Sequence, residues 1–443
     1  MLRKSLMSCK KWFLHISFSF ADQALLSGAN FFFNVLLVRW LMPDEYGIFA
    51  IAFSIFLFLS GFQNALILQP ASVIGAAYYQ NNLSKYFGVT TLINGVLTCG
   101  FTIFLLLVAL IMAFSHYYLA LPFLGLAIAT PFILLFWLFR QICYIKTRPD
   151  LAWRASFLYA FFLMVGVVML KNCGSMSAFS AFMVMAFSSL LSALFFWRYL
   201  DIDRIFYVSK IPILIKDVLV EHWRYGRWVV GSAFVNWLST LSYLPLVGLW
   251  AGVQQAGAFR AMQNLTLPLE RFLSIFALLL IPWISKNRPL RGKKYVKKRL
   301  FALAIINFSL ASIYGLFLIL YGDRLAKMLY GSGYAASFAW MIPYFAIIAV
   351  VSALVQVLGI GLKSLERPDA IFWAETISTA FTLTVGLYFV AVFKIRGAAL
   401  GLLVSTIVTF LSLLYFLFKH FRQKENALMP QNKIIVNEGP HYE

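Results

Sequence analysis

The sequence predicts an all-α polytopic membrane protein with twelve transmembrane helices in two pseudo-symmetric six-helix bundles. Three observations carry that prediction. Of 443 residues, 62% are apolar and only 12% charged. The apolar residues gather in stretches long enough to cross a hydrocarbon core, which takes about 20 residues per helix. A polar pattern in the first stretch returns in the seventh. A soluble domain is roughly half apolar and a quarter charged, so composition excludes an ordinary water-soluble enzyme.

In the first half the spans run over 13–38, 46–69, 86–114, 117–138, 152–170 and 177–198; in the second, over 228–250, 256–284, 299–321, 337–361, 370–391 and 396–418. This divides the chain into a cytoplasmic N-terminus (1–12), an N-terminal bundle (13–198), a linker (199–227), a C-terminal bundle (228–418) and a cytoplasmic tail (419–443). The first span follows a basic start with no small-residue cleavage site, so it is expected to be a retained helix rather than a signal peptide.

Charge sets the direction of insertion. Lys and Arg number 37 against 16 Asp and Glu, a net +21. With the N-terminus inside, 28 of the 37 basic residues fall in inner loops and tails, six in outer loops and three within spans. Basic residues near span ends collect on the cytoplasmic side, which puts both termini there. The excess charge therefore records topology and calls for no nucleic-acid partner. The run KNRPLRGKKYVKKR after the eighth span is expected to be a topogenic basic loop facing anionic phospholipids. The linker stretch IPILIKDVLVEHWRYG, with Ile211, Leu214, Ile215, Val218 and Leu219 on one side, reads as an amphipathic helix lying on the inner surface.

The internal repeat rests on spacing. Gln23, Ser27, Asn30 and Asn34 follow at intervals of 4, 3 and 4, which places them on one helix face. Ser232, Asn236, Ser239 and Tyr243 repeat those intervals 209 residues later. Beyond them, EYGIFA around Gly47 corresponds to QAGAFR around Gly257, displaced by 210, and each second helix ends near a proline, Pro70 or Pro282. Six spans per half make this a parallel repeat. The stripes either join neighbouring helices by hydrogen bonds or line a water-filled cavity between the halves.

Charges inside spans are the sharper signal, because one at the bilayer centre costs at least about 2.5 kcal/mol unless it meets a partner or water. Arg260, Asn264 and Arg271, spaced 4 and 7, share a face of the eighth span, with Pro268 between them as a kink. Guanidinium forks match phosphate oxygens, so these three are candidates for an anionic substrate site; a static bridge to another helix is the competing reading. Asp22, Glu270 and Glu375 are candidates for a coupling cation or proton, or for counter-charges to Arg260 or Arg271. Arg140 and Arg154, near the inner surface, are expected to snorkel.

Catalytic patterns are missing from the sequence. Cys9, Cys99, Cys143 and Cys173 are scattered singly, the five histidines form no ligand set, and there is no phosphate loop or HExxH. We expect no catalytic residue, metal or cofactor, and a secondary transporter rather than an enzyme.

The run ADQALLSGANFFFNVLLVRWLMPDEYGIFAIAFSIF resembles the opening of the Wzx-type polysaccharide-transporter branch of the MOP flippase superfamily. AGAFRAMQNLTLPLERFLSIFALLLIPWIS is similar to that branch's eighth span, and IRGAALGLLVSTIV to the start of its twelfth. The similarity covers about 15–418. It implies a V-shaped, MATE-like pair of bundles working by alternating access in a bacterial inner membrane. The cargo it implies is undecaprenyl-pyrophosphate-linked oligosaccharide for surface polysaccharides such as the O-antigen of lipopolysaccharide, handed on to polymerase machinery. Arginines hold the pyrophosphate in related flippases, a role that here falls to Arg260 and Arg271. The alternative from the same superfamily is a cation-coupled multidrug exporter of small organic cations, for which Asp22 would be the coupling carboxylate.

Overall fold

The computed structural model describes residues 2–75, 79, 83–115, 117–199, 211–331, 333–365 and 367–422, and every regular element among them is helical. The predicted tail beyond Arg422 and the linker over 200–210 lie outside the described residues.

In the first half, α1 (Leu2–Trp40) is followed by α2 (Pro43–Gln63). Helix α2 opens with proline, whose missing N–H costs nothing at a first position, and with Asp44 and Glu45 against the positive end of the helix dipole. It passes into two π-helical turns, Asn64–Leu68 and Ala71–Gly75, on either side of Pro70. Proline cannot continue the α ladder, and the wider turns absorb the interruption. Helices α3 (Leu83–Ser115), α4 (Tyr117–Ile145), α5 (Pro149–Asn172) and α6 (Ala178–Tyr199) complete six spans.

In the second half, α7 (Ile211–Thr240) and α8 (Tyr243–Ala251) form the seventh span, and α9 (Val253–Asn264) begins the eighth. Helix α10 (Leu267–Tyr330) carries the rest of the eighth and all of the ninth. A 3-10 turn (Tyr334–Met341) leads into α11 (Ile342–Ser364). Helix α12 (Pro368–Phe381) continues through a π-helical turn (Thr382–Gly386) into α13 (Leu387–Arg422).

Ten helical stretches among the described residues are long and apolar enough to cross a membrane. The difference from twelve has two causes. The eleventh and twelfth predicted spans form one stretch, broken only at Lys394, where φ is 54°. The eighth is divided: its first part, α9, is only 12 residues long and rich in polar side chains.

The basic run 286–299 holds the connection between the eighth and ninth spans: two helices meet there at Gly292 (φ 69°), so helix fills most of the run that the sequence reads as a loop. One expectation about the inner surface is corrected. The amphipathic stretch is not a separate surface helix: it is the start of α7 and runs unbroken into the seventh span. Val218, His222 and Gly226 on its inner side are buried, and a Cβ on Gly226 would stand 2.7 Å from the carbonyl oxygen of Ala65. That face packs on the first half because it has protein, not lipid, to meet.

Helices α2 and α7 form a continuous seam between the halves. Trp237 Nε1 donates to Ser54 O at 2.9 Å, Phe58 packs on Trp237 at 4.7 Å, and His222 Nδ1 lies 2.9 Å from Leu66 O.

The repeat extends further than the polar stripes. Arg148-Pro149-Asp150 and Arg367-Pro368-Asp369, 219 residues apart, form the same turn. Both arginines sit near φ −115°, ψ 60°, and each bonds the aspartate two residues on. The backbone bonds match one for one: Arg148 N to Cys143 O and Leu151 N to Arg148 O recur as Arg367 N to Leu362 O and Ala370 N to Arg367 O. The end of α4 and the end of α11 are therefore in register at a displacement of 219.

Candidate functional site

Three polar sites share the chain: one inside each half and one where the halves meet.

In the first half, Asp22 is fully buried on α1. Arg140 on α4 approaches it at 2.6 Å, donates through Nε at 2.8 Å and bonds Gln23 Oε1 at 2.8 Å. Tyr144 also donates to Asp22 Oδ2. All these donors converge on Oδ2, and Oδ1 has no hydrogen-bond partner. Further along, Tyr159 of α5 donates to Asn30 Oδ1 at 3.2 Å, and Asn34 Nδ2 bonds Asn30 O at 2.9 Å. Arg140 therefore does not snorkel. Asp22 is the counter-charge of Arg140, not of Arg260 or Arg271, because a buried carboxylate demands a cation within contact.

In the second half, the stripe residues Asn236 and Ser239, with Thr240, line a cavity of about 300 Å³. Gln356, Gly359 and Lys363 of α11, Glu375 and Ser378 of α12, and Ser405, Thr406 and Thr409 of α13 complete it. Asn236 Nδ2 donates to Glu375 Oε1 at 3.4 Å, Ser232 lies within bonding reach of the same carboxylate, and Glu375 Oε2 is buried without a hydrogen-bond partner. Below the cavity, Tyr243 and Thr382 both meet Ser405 Oγ, at 3.1 and 2.6 Å. The bonds made by Gln23, Asn30, Asn236 and Tyr243 turn each stripe into its own half, so the expected cavity between the halves is not where these side chains point. Of Ser27, the structure shows only a half-buried position.

At the third site α2 and α9 press together. A Cβ on Gly47 would stand 1.9 Å from the carbonyl oxygen of Val253, and one on Gly257 would stand 3.0 Å from Gly47 Cα. Gln254 Nε2 donates to Asp44 Oδ2 at 3.1 Å, and Asn264 Nδ2 to the Tyr46 hydroxyl at 3.2 Å. The displacement of 210 links Asp44 with Gln254 and Gly47 with Gly257, so a pseudo-two-fold axis runs through this contact.

Arg260 belongs to that seal. It is buried and bonds Gln263 Oε1 at 2.9 Å. The α-helical ladder lapses at Leu265–Thr266, immediately before α10 begins, because Pro268 has no N–H for the Asn264 carbonyl; Arg260 and Asn264 lie on α9 and Arg271 on α10. Tyr330 donates to Ala261 O and Tyr314 to Leu265 O, supplying carbonyls that the break leaves open. Glu270 is in the first turn of α10, where its carboxylate sits at the positive end of the helix dipole and accepts from Thr266 Oγ1 at 2.9 Å. Arg271 is exposed, opposite the buried Leu269 and Leu273 that pack on α10 and α11.

Outside the spans, His222 places Nε2 at 2.8 Å from the Tyr86 hydroxyl, and its burial depresses its pKa. Tyr79 donates to Glu221 Oε2 at 3.2 Å; burial first, then the Glu221 carboxylate, push its hydroxyl up to about 12.

No family model and no curated relative matches the chain. Solved structures do. The inward-facing conformation of a multidrug resistance MATE family transporter of the MOP superfamily gives a TM-score of 0.76 at 13% identity, over 91% of this chain and 96% of that one. An outward-facing conformation of such a transporter gives 0.65 at 15%, over 92% and 96%. A MOP superfamily transporter from Pyrococcus furiosus, noted for the reverse polarity of its binding pocket, gives 0.65 at 14%, over 92% and 96%. The chain has the fold of the MOP-superfamily transporters, all-helical and multi-pass.

Proposed function

We propose that this protein is a flippase that carries undecaprenyl-pyrophosphate-linked oligosaccharide from the inner to the outer leaflet of a bacterial inner membrane by alternating access. With the N-terminus cytoplasmic, the Gly47–Gly257 seal closes the outer end, and the chain is inward-facing. The higher likeness to an inward-facing fold supports that reading.

The observation that supports the substrate class is the exposure of Arg271 on α10, together with the repeat. At the displacement of 210 it corresponds to Gly61, whose Cβ would stand 3.6 Å from Ala233 of the other half. By the same symmetry we infer that Arg271, exposed on α10, faces α1 near Ala24, where an arginine would replace the small residue of the closed seam. A guanidinium there meets a pyrophosphate entering between the halves, and Arg260 becomes available when the outer seal opens. Of the three coupling candidates, Asp22 is paired with Arg140 and Glu270 accepts from Thr266 at the start of α10, while Glu375 faces a cavity. The multidrug-exporter reading loses its main support once Asp22 is neutralised by Arg140.

Arg271→Ala, expressed at the wild-type level, should leave lipid-linked oligosaccharide on the cytoplasmic face in a lectin-accessibility assay. Full outer-face delivery by that variant would remove Arg271 from the mechanism.

A further inference from the structure

The start of α7 shows two different faces. Val218, His222 and Gly226 pack on the first half, while Leu219, Val220, Trp223, Arg224 and Arg227 on the other side are exposed and line a groove of about 450 Å³. Depth fixes what that groove meets. The apolar part of the seventh span begins at Val229. At a rise of about 1.5 Å per residue, Arg227 stands about 3 Å outside it and Arg224 about 8 Å. The headgroup layer is about 5 to 8 Å deep on each face of a bilayer, so both guanidiniums lie at the level of lipid phosphates. The nearest acid along the helix is engaged elsewhere: Glu221, three residues before Arg224, accepts from Tyr79, and no carboxylate stands within 4 Å of Arg224 among the described residues.

We propose that this face of α7 binds the phosphodiester of an anionic diacyl phospholipid, clamped between Arg224 and Arg227. Residues three apart on a helix are neighbours, and guanidinium forks bond phosphate oxygens in pairs. Trp223 sits beside both, with an indole N–H for the headgroup oxygens and an apolar ring for the interface. Phe234, seven residues after Arg227 and so on the same face, is exposed and offers an apolar surface to the first acyl carbons. Its ring packs on Phe58 of α2 at 5.9 Å, so the bound lipid lies along the seam between the halves. Charge selects among lipids. A zwitterionic headgroup brings its own cation against the two arginines, whereas an anionic one leaves the phosphate charge to them. The inference rests on the depth and charge of α7 and stands apart from the transport reading.

The test is native mass spectrometry of the purified full-length protein titrated with dioleoyl phosphatidylglycerol and, separately, with dioleoyl phosphatidylcholine. Phosphatidylglycerol should bind more tightly, and each arginine removed should weaken it about fivefold, so that Arg224→Gln/Arg227→Gln loses about 25-fold while phosphatidylcholine binding stays unchanged. Lys297→Gln/Lys298→Gln, which removes two exposed charges from the basic run, should leave the phosphatidylglycerol affinity as it is. Equal affinity for the two lipids in the wild type would overturn the proposal, as would an equal loss in the lysine variant, which would mean diffuse attraction rather than a site. Displacement of phosphatidylglycerol by inorganic pyrophosphate at constant ionic strength would give the face to a pyrophosphate ligand and overturn it too. If the double arginine variant fails to fold, Arg224→Gln alone decides by the same comparison of the two lipids.

Discussion

Gly47 and Gly257, 210 residues apart, meet across the boundary between the halves so closely that a Cβ on Gly257 would stand 3.0 Å from the backbone nitrogen of Gly47. Two equivalent positions of a duplicated chain can touch only on the axis that relates them. Glycine is required at both because α2 and α9 approach backbone to backbone. Gly47→Val should force the seal apart, since a Cβ would enter the space of Val253 O and overpacking costs about 1 to 3 kcal/mol. An impermeant maleimide should then label a cysteine placed at Asn264 about tenfold faster than in the Gly47 background. Equal labelling would show that the contact does not hold the end closed.

The Asp22–Arg140 pair makes a stability prediction. Arg140→Ala leaves a fully buried carboxylate without its cation, a loss of about 3 to 5 kcal/mol, whereas the double variant Asp22→Asn/Arg140→Gln removes both charges and should recover part of it. Detergent melting curves of the two proteins check this. A double variant no more stable than Arg140→Ala would mean the pair carries little coupling.

His222 makes the α2–α7 seam sensitive to pH. Its ring accepts from or donates to Tyr86 and lies on the Leu66 carbonyl, and burial lowers its pKa below the usual 6.5. A carbonyl only accepts, so Nδ1 carries the proton and the buried ring is neutral. The unfolded chain then binds more protons than the folded one below about pH 6.5. The seam's contribution is complete above that pH and declines as pH falls through the depressed folded value. Melting temperature should drop between pH 7.5 and 5.5 in the wild type and drop less in His222→Gln; parallel curves would assign the pH dependence elsewhere.

Glu375 is the coupling carboxylate on this account. Glu375→Gln should fold and reach the membrane yet transport with no dependence on pH or added cation. Retained dependence would transfer coupling to another group.

The all-helical, multi-span architecture was legible because it follows from composition and periodicity. The partner of Asp22 was not: Arg140 lies 118 residues away, and only the tertiary fold brings its long side chain across to α1. The interruption between Arg260 and Arg271 was legible from Pro268, which has no N–H to give the Asn264 carbonyl and opens the helix at Leu265–Thr266. One signal was available and unused. The repeated Arg-Pro-Asp turn, at a displacement of 219, would have placed Gly359 against Arg140 from sequence alone. The basic stretch 286–299 reads as a loop because its polarity is high, yet Lys and Arg are good helix formers and the two helices extend into it up to the turn at Gly292.

The central claim is that the protein delivers lipid-linked oligosaccharide to the outer leaflet. Its most direct test is to delete the protein from its host and measure, by lectin accessibility in right-side-out and inverted vesicles, where the lipid-linked oligosaccharide resides. The account predicts accumulation on the cytoplasmic face, reversed by the wild-type protein and not by Arg271→Ala. Normal outer-face delivery in the deletion strain would contradict it.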